Sequence, residues 1–238
     1  MVYDNKAIGV IGGMGPAATA DLFTKLVSLE DAAADQDHVR ILVDCDSNIP
    51  DRAAAIAGTG ESPVPEMVRS AVGLEKQGAD VLIMGCNVAH YFYRDILPFV
   101  NIPFLSILDE TCRAVRDAGY KKVALLACGM TLKSGVYLEA MDRFGIDCIR
   151  TTAEEQACFD CLIYDGIKKG DHGIDVTDIR KAVGRLTAEG AEALVLGCTE
   201  LPVAFDEYGI GADVPLIDPT SEIAKSALRY LGRKIRDE

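Results

Sequence analysis

The sequence predicts an α/β protein of two similar domains, each a parallel sheet flanked by helices in a flavodoxin-like arrangement. Three observations predict this fold: short continuous Val, Ile and Leu runs, helix-length amphipathic segments between the runs, and an internal repeat. Apolar runs that do not alternate with polar residues are typical of strands buried on both faces, as in parallel sheets covered by helices. A length of 238 residues suits one large domain or two small ones.

Eight apolar runs are predicted to be strands, and segments with helical spacing lie between them. The predicted strands are Ala7–Ile11, Val39–Cys45, Val81–Met84, Phe104–Ile107, Val123–Ala127, Asp147–Arg150, Leu194–Leu196 and Pro215–Ile217. The helical spacing is found at Leu22, Leu26 and Leu29, at Val68, Ala71, Val72 and Glu75, and in the residues after Asp175 and after Thr220.

An internal repeat has an offset of almost half the chain. The segment Gly78–Asn87 reappears 112 residues later as Gly190–Thr199, with a Gly-Cys pair after the apolar run in each copy. A second match, between Ile8–Gly13 and Val123–Cys128, has an offset of 115 residues. Two similar α/β halves are therefore expected, each with one Gly-Cys at the end of a strand.

The predicted domain boundaries follow from this repeat. Residues 1–111 with 216–238 form the first predicted domain, which carries Cys86, and residues 112–215 form the second, which carries Cys198. Ligands of open parallel sheets bind beyond the carboxyl ends of the strands, where both cysteines are expected. If a pseudo-twofold relates the domains, the two thiols confront each other across an active site between them.

The composition excludes several classes of function. Lys and Arg number 24 against 37 Asp and Glu, a formal net charge of −13, which disfavours nucleic-acid and membrane partners. No apolar run approaches the roughly 18 residues that cross a bilayer, and the N-terminus lacks the features of a signal peptide. The eight cysteines are scattered, and several lie in apolar runs, which favours reduced thiols in a cytoplasmic protein.

Two matched thiols at strand ends indicate proton chemistry. A lone cysteine in this place is usually a small buried hydrophobe, whereas Cys86 and Cys198 occupy equivalent positions of the repeat. A thiol between a strand and a helix meets backbone N–H groups and the positive end of the helix dipole, which lower its pKa from about 8.5. Two such thiols on opposite faces of one carbon take a proton from one side and return it on the other. Such a pair inverts a stereocentre without a cofactor.

Six segments carry a resemblance to a known family. In chain order they are Ile11–Pro16, Ile49–Arg52, Cys86–His90, Lys133–Tyr137, Ile167–Gly170 and Gly197–Leu201. Together they resemble the aspartate/glutamate racemase family, specifically its aspartate racemase branch. The resemblance implies two α/β domains, an amino-acid substrate and commonly a homodimer. It also implies a mechanism independent of pyridoxal phosphate, with Cys86 and Cys198 as acid and base and with no cofactor or metal.

The resemblance further implies a set of substrate contacts. Arg52 and Lys168 match family residues that hold the substrate's side-chain carboxylate, although each is otherwise an ordinary solvated charge. The loop at Met14 is expected to offer backbone N–H groups to a substrate carboxylate. The positions that match residues around the amino-acid head group are Asn87, Val88, Thr131 and Thr199.

Three neighbouring residues are expected to support these positions. Asp51 and Glu200 lie next to Arg52 and Cys198, where each orients its neighbour or tunes a thiol, or else caps a helix or turn. His90 lies one helical turn after Cys86 and either tunes that thiol or is a packed or capping histidine.

The sequence departs from the family pattern at two positions. Val88 and Cys128 stand where the family commonly has threonine. Polar atoms that the site leaves unmatched discriminate substrates more strongly than methyl groups do. The departures therefore leave open whether the substrate is aspartate or glutamate, another amino acid, or a broader range.

Two motifs favour other chemistry when taken alone. Gly13–Ala18 fits the G-x-G-x-x-A pattern of dinucleotide-binding enzymes, but their acidic partner is ambiguous here between Asp44 and Asp46. Cys158 and Cys161 form a C-x-x-C without a second such pair, which favours thiols packed on a helix over a zinc or redox site.

Further alternatives use the same cysteines differently. A Cys-His hydrolase would use Cys86 and His90 but would leave the repeated Cys198 without a role. An amino-acid-binding protein without turnover, and a lyase or isomerase that acts on a dicarboxylic acid, are both compatible with the motifs. Exchange of the Cα proton separates these alternatives from a racemase.

Overall fold

The computed structural model describes residues 6–236, which form two compact units. One unit holds the described residues up to Glu110 and from Thr220 onward, and the other is Thr111–Pro219. Each unit has its own parallel sheet, its own helices and its own hydrophobic core. The predicted α/β class with two parallel sheets is therefore confirmed.

The first unit is built on a three-stranded parallel sheet. Its strands are β1 (Ala7–Gly12), β2 (Arg40–Cys45) and β3 (Val81–Met84), and their order is β2-β1-β3. β1 and β3 are buried along their whole length, as continuous apolar runs predict, whereas β2 lies at an edge and is partly exposed. Helices of this unit are α1 (Pro16–Leu29), α2 (Arg52–Ile56), α3 (Val64–Lys76) and α4 (Tyr93–Ile96), with single-turn 3-10 helices at Asp35–Asp37, Val88–Phe92 and Leu97–Phe99.

The second unit is built on a four-stranded parallel sheet. Its strands are β4 (Lys122–Leu126), β5 (Asp147–Arg150), β6 (Ala193–Leu196) and β7 (Leu216–Ile217), in the order β5-β4-β6-β7. Two helices, α5 (Ile107–Asp117) and α11 (Pro219–Tyr230), include the points where the chain passes from one unit to the other. The remaining helices are α6 (Gly129–Ser134), α7 (Val136–Phe144), α8 (Ala153–Cys161), a π-helix at Leu162–Lys168, α9 (Thr177–Ala188) and α10 (Glu200–Glu207).

The two sheets repeat one strand order. The order β2-β1-β3 of the first sheet corresponds to β5-β4-β6 of the second, and the cysteine repeat matches β3 with β6. The repeat also reaches beyond these strands. Leu82 forms a parallel bridge with Phe104, and 112 residues later Leu194 pairs in parallel with Leu216. The sequence repeat therefore corresponds to a repeat of backbone topology.

Two predicted boundaries differ from the structure. In the run Phe104–Ile107, Phe104 forms an isolated bridge and Ile107 already begins α5. The strand β7 pairs with β6 in the second sheet, although the predicted boundary assigns residues from 216 onward to the first domain. Hydrogen bonds to a neighbouring strand determine where β7 belongs, and the local sequence does not encode that partner.

Two further properties of the chain concern its chemical environment. Within residues 6–236, no helix is both long enough and apolar enough to cross a membrane. All eight cysteines are free thiols, and four of them are buried. These thiols are therefore available for chemistry or packing and not committed to a disulfide framework.

Candidate active site

Cys86 lies at the carboxyl end of β3, directly after Gly85, and is buried. The chain then turns into the short 3-10 helix that contains His90. The Nδ1–H of His90 donates to the backbone carbonyl of Cys86 at 2.8 Å, and its Nε2 accepts from the backbone N–H of Ile107 at 3.1 Å. His90 therefore holds the backbone of the turn after Cys86 and ties it to the start of α5.

Burial keeps the ring of His90 neutral. Desolvation lowers the pKa of His90 from 6.5 to about 4, although its hydrogen bond to the Cys86 carbonyl opposes this shift. Both ring nitrogens are engaged by backbone groups, so the ring does not serve as a base for the thiol. These contacts match the packed histidine and not the Cys-His hydrolase, which requires a ring nitrogen directed at the sulfur.

Cys198 occupies the equivalent place in the second unit, after β6 and Gly197, and is also buried. Its thiol donates to Oε2 of Glu200 at 3.0 Å, and the hydroxyl of Thr199 donates to the same oxygen at 3.1 Å. The Nζ of Lys168 lies 3.2 Å from Oε1 of Glu200. Glu200 therefore connects the thiol to a cation through a buried carboxylate.

A second thiol, that of Cys128, lies next to Cys198. The strands β4 and β6 are parallel neighbours in which Leu126 is opposite Leu196, so the two cysteines, each two residues further on, stand level at one edge of the sheet. Both side chains are buried in the core of the second unit. The strand register therefore creates a pair of interacting sulfur atoms in the second unit.

The surroundings shift the pKa values of the two thiols in opposite directions. The neighbouring Cys198 thiol lowers the pKa of Cys128 to about 6, against the effect of burial and with the help of hydrogen bonds from Thr131 and Tyr164. The pKa of Cys198 is raised well above its ordinary value, first by the neighbouring Cys128 thiol, then by burial and by the charge of Glu200. The two thiols therefore titrate together, and their pKa values belong to the pair.

Arg52 begins α2 in the first unit, and Asp51 caps this helix. The Oδ1 of Asp51 accepts a hydrogen bond from the backbone N–H of Ala54 at 2.7 Å, so the capping alternative describes this residue. Nη1 of Arg52 donates to the carbonyls of Ile49 and Pro50, both at 3.1 Å. The buried Nε of Arg52 has no hydrogen-bond acceptor within residues 6–236. Backbone carbonyls thus hold the guanidinium in place.

The other predicted positions divide between the two units. Met14 and Asn87 are buried in the first unit, and Val88 starts the 3-10 helix after Cys86. Thr131 is buried in the second unit, where its Oγ1 lies 3.1 Å from the Cys128 sulfur. The first unit holds Met14, Asp51, Arg52, Cys86, Asn87, Val88 and His90, and the second holds Thr131, Lys168, Cys198, Thr199 and Glu200.

The loop after β1 is shaped by local contacts. Gly13 has a φ of +86°, and a Cβ there would lie 2.2 Å from the backbone oxygen of Asp46, so only glycine fits against that chain segment. The N–H of Gly13 donates to Oγ1 of Thr19 at 2.9 Å. The side chain of Asp46 accepts from the N–H of Asn48 and pairs with Arg69. Of the two acidic residues that the dinucleotide alternative offers, Asp44 and Asp46, the second is therefore engaged within the protein.

The C-x-x-C cysteines lie on α8. Cys158 packs against the core of the second unit, and Cys161 is exposed. Across the part of the chain that the structure describes, no group of three or more His, Cys, Asp or Glu residues is arranged to hold a metal ion. Packing on a helix describes these two thiols.

Sequence patterns assign no role to two residues of this site, Cys128 and Tyr164. A signal for Cys128 exists, because the repeat matches Val123–Cys128 to Ile8–Gly13 and so puts Cys128 after the strand that should neighbour β6. Tyr164 lies on the π-helix Leu162–Lys168, and no periodicity in the sequence predicts a side chain of that segment next to a strand end.

The fold and the site define a class of protein: parallel α/β, with two repeated sheets that each carry a buried cysteine after the same strand. Known proteins of this class are similar to the chain. A family model described as Asp/Glu/hydantoin racemase matches residues 11–227. The Picrophilus torridus aspartate racemase structure is 32% identical with a TM-score of 0.84, covering 97% of this chain and 96% of that chain.

Two further relatives extend the comparison. The broad specificity amino-acid racemase RacX of Bacillus subtilis (strain 168) is 26% identical over 226 residues, 93% of this chain and 96% of the relative. Glutamate racemase from Francisella tularensis in complex with D-glutamate shares the fold at 21% identity, with a TM-score of 0.65 over 96% of this chain and 82% of that chain. The chain belongs to the Asp/Glu/hydantoin racemase family. Amino-acid racemisation, an isomerase reaction, is its function at the level of the family.

Proposed function

We propose that the chain interconverts the L and D forms of an amino acid by proton transfer between the thiols of Cys86 and Cys198, without a cofactor. The observation that carries the proposal is the equivalence of the two cysteines. Each is buried, follows a glycine, and stands at the carboxyl end of the strand that neighbours the central strand of its repeat, β3 or β6. Chemistry that acts on both faces of one carbon requires such a matched pair.

The reaction is a two-base inversion. One thiolate removes the Cα proton from one face of the substrate, and the electron pair stays on Cα. The opposite thiol then delivers its own proton to the other face, so the enzyme finishes with the charge on the other sulfur. Thiols are suited to both steps because a thiol donates a proton, its thiolate accepts one, and neighbouring groups adjust the balance between the two forms. Independence of pyridoxal phosphate is part of this proposal.

Aspartate and glutamate are the proposed substrates, within a range that extends to other amino acids. The similarity to an aspartate racemase and to a broad specificity racemase supports this range. Arg52 supports a dicarboxylic substrate, since its buried Nε has no acceptor within residues 6–236 and an Arg donates to a carboxylate in a fixed geometry. Lys168 is the second proposed cation, and a substrate carboxylate must compete with Glu200 for its ammonium group.

The remaining contacts are proposed from their positions. Met14, Asn87, Val88, Thr131 and Thr199 surround the amino-acid head group in this proposal. Glu200 supports Cys198 by its hydrogen bond to the thiol. Asp51 and His90 support the site through the backbone, as a helix cap and as a clamp on the turn after Cys86. A cytoplasmic, homodimeric enzyme is also proposed, and the eight free thiols are consistent with a reducing compartment.

The test is incorporation of solvent deuterium at Cα. The pure protein is incubated in heavy water with L-aspartate, L-glutamate and a panel of other amino acids. We expect racemisation with deuterium at Cα, abolished by Cys86→Ser and by Cys198→Ser and unchanged by added pyridoxal phosphate. Cys161→Ser is the matched control, because that thiol is exposed on α8 and is expected to be irrelevant.

Three results would contradict the proposal. Binding of an amino acid without deuterium exchange indicates a binding protein without turnover. Turnover that depends on a nicotinamide cofactor supports the dinucleotide alternative. Full racemisation by either serine variant excludes the two-thiol mechanism.

A further inference from the structure

The buried thiol of Cys128 is surrounded by hydrogen-bond donors. Strand register sets the Cys198 thiol beside it, and Oγ1 of Thr131 lies 3.1 Å from its sulfur. The hydroxyl of Tyr164 provides a further hydrogen bond. Donors that converge on one sulfur stabilise its negative charge. The local structure thus favours a thiolate at Cys128.

Cys198 has the opposite environment. The carboxylate of Glu200 accepts a hydrogen bond from its thiol at 3.0 Å, and a negative charge at this distance disfavours a second one on the sulfur. Burial adds to this effect because Cys198 is only 8% exposed. The local structure therefore favours a protonated Cys198 with a thiolate next to it.

We propose that Cys128 is a positioning residue for racemisation: it shares a proton with Cys198, keeps Cys198 as a thiol between reactions, and takes over its proton when Cys198 accepts one from the substrate. This inference rests on the two-thiol function proposed above. It assigns a role to the thiol that stands where the resembled family commonly has threonine.

The proton transfers balance as follows in the direction that starts at Cys198. The Cα–H bond breaks, and its proton binds the sulfur of Cys198 while the electron pair stays on Cα. The proton that Cys198 held passes to the Cys128 thiolate, so both thiols of the pair are then neutral. The Cys86 thiol protonates the other face of Cα and becomes the thiolate. One negative charge moves from Cys128 through Cα to Cys86, and no other reactant is needed.

A thiolate suits this exchange better than the neighbouring carboxylate does. Ordinary pKa values are about 8.5 for cysteine and about 4.3 for glutamate, so a proton moves between two thiols at little cost but is transferred to Glu200 unfavourably. Glu200 therefore orients the Cys198 thiol, while Cys128 receives its proton.

Several charged or titratable groups face the pair, and they contribute to its titration. Tyr164 stays neutral because burial raises its pKa above the ordinary value. Asp160 on α8 accepts a hydrogen bond from the N–H of Gly129 at 2.8 Å, next to Cys128. The full set around the two thiols is Tyr137, Asp160, Tyr164, Lys168 and Glu200.

The test compares the pH dependence of kcat/KM in the wild type, Cys128→Ser and Cys128→Thr. The acid limb of the wild-type profile is expected near the Cys128 pKa of about 6. A hydroxyl keeps the hydrogen bond but does not ionise, so in both variants Cys198 must ionise beside Glu200. We expect the limb to move up by at least about one pH unit, with at least about a tenfold loss at pH 6 and much of the rate regained at high pH.

A second measurement does not depend on activity. Ultraviolet absorbance of thiolates, followed from acid to alkaline pH, should lose one thiolate with a midpoint near 6 in Cys128→Ser, whereas Cys161→Ser should retain it. A purely structural role predicts a uniform loss of rate at all pH values with an unmoved limb, and this result would overturn the inference, as would an unchanged thiolate titration. Full racemisation by Cys198→Ser would instead overturn the two-thiol function itself, so the two failures are distinct.

Discussion

The turn after Cys86 and the turn after Cys198 share a backbone position but differ in chemistry. In the repeat, Val88 of the first turn corresponds to Glu200 of the second, so an apolar side chain is matched by a carboxylate that contacts the thiol. The side chain that clamps the first turn is the neutral His90, which binds backbone groups. The second turn instead carries a buried charge.

The neighbouring strands add a second difference. Strand register puts Gly13, after β1, level with Cys86, and Cys128, after β4, level with Cys198. The first turn therefore has no side chain where the second has a thiol. The two cysteines have equivalent places in the repeat, whereas the groups around them differ. Acid and base roles in a symmetric reaction are assigned by such differences of environment.

The largest expected effect comes from removing either of the two catalytic thiols. Cys86→Ser and Cys198→Ser are each expected to lower kcat by at least about a thousandfold, because each removes one general acid-base group. The double variant should be no slower than either single variant, since the two groups act as one unit. Racemisation rates measured by polarimetry check this, and losses that multiply in the double variant would mean that the thiols act independently.

The next expected effect concerns His90 and the stability of the turn after Cys86. The pKa of His90 is about 4 in the fold and 6.5 unfolded, so the unfolded chain binds more protons between these values. The contribution of neutral His90 to the free energy of unfolding is therefore fully present above pH 6.5. It falls by up to about 3 kcal/mol as the pH is lowered to 4. Urea unfolding at several pH values checks this.

His90→Asn should remove this pH-dependent component. The exposed His172 offers the matched control, so His172→Asn should retain the full dependence. An unchanged slope between pH 4 and 6.5 in His90→Asn would show that other groups cause it.

A smaller effect is expected from the two proposed carboxylate-binding cations, one in each unit. Arg52→Ala and Lys168→Ala should each raise KM for aspartate and glutamate by about tenfold to a hundredfold, the range of a lost charge-assisted hydrogen bond. Neutral amino acids should be affected little. Arg69→Ala is the control, because that exposed arginine pairs with Asp46 and Glu66. Equal increases in KM for charged and neutral substrates would contradict the assignment of these two cations to a side-chain carboxylate.

Much of the fold was accessible from the sequence because buried parallel strands are continuous apolar runs. The observed β1, β3 and β6 lie within one residue of their predicted bounds at each end. The run Phe104–Ile107 is also mainly apolar, yet it forms one bridge and then the start of a helix. A short apolar run becomes a strand only where a neighbouring strand pairs with it along its length. The composition of the run does not specify that neighbour.

The sequence predicts the candidate site less completely than it predicts the strands. Both repeat cysteines were found because repetition and strand ends are visible along the chain. Glu200 was singled out only as a neighbour in sequence, and its contacts with Cys198 and Lys168 come from the structure. The alternatives for Asp51 and for His90 are both compatible with the sequence, since the hydrogen bonds that decide between them are visible only in the structure.

Residue order alone is enough to establish two repeated α/β halves and a matched cysteine in each, since periodicity and repetition are properties of the chain itself. Folding was needed to bring Cys128 against Cys198 and to link Glu200 to Lys168. Those contacts join segments far apart in the chain, and they depend on strand register and side-chain packing. Proton affinity is a property of such surroundings, so it emerges only when the surroundings have been assembled.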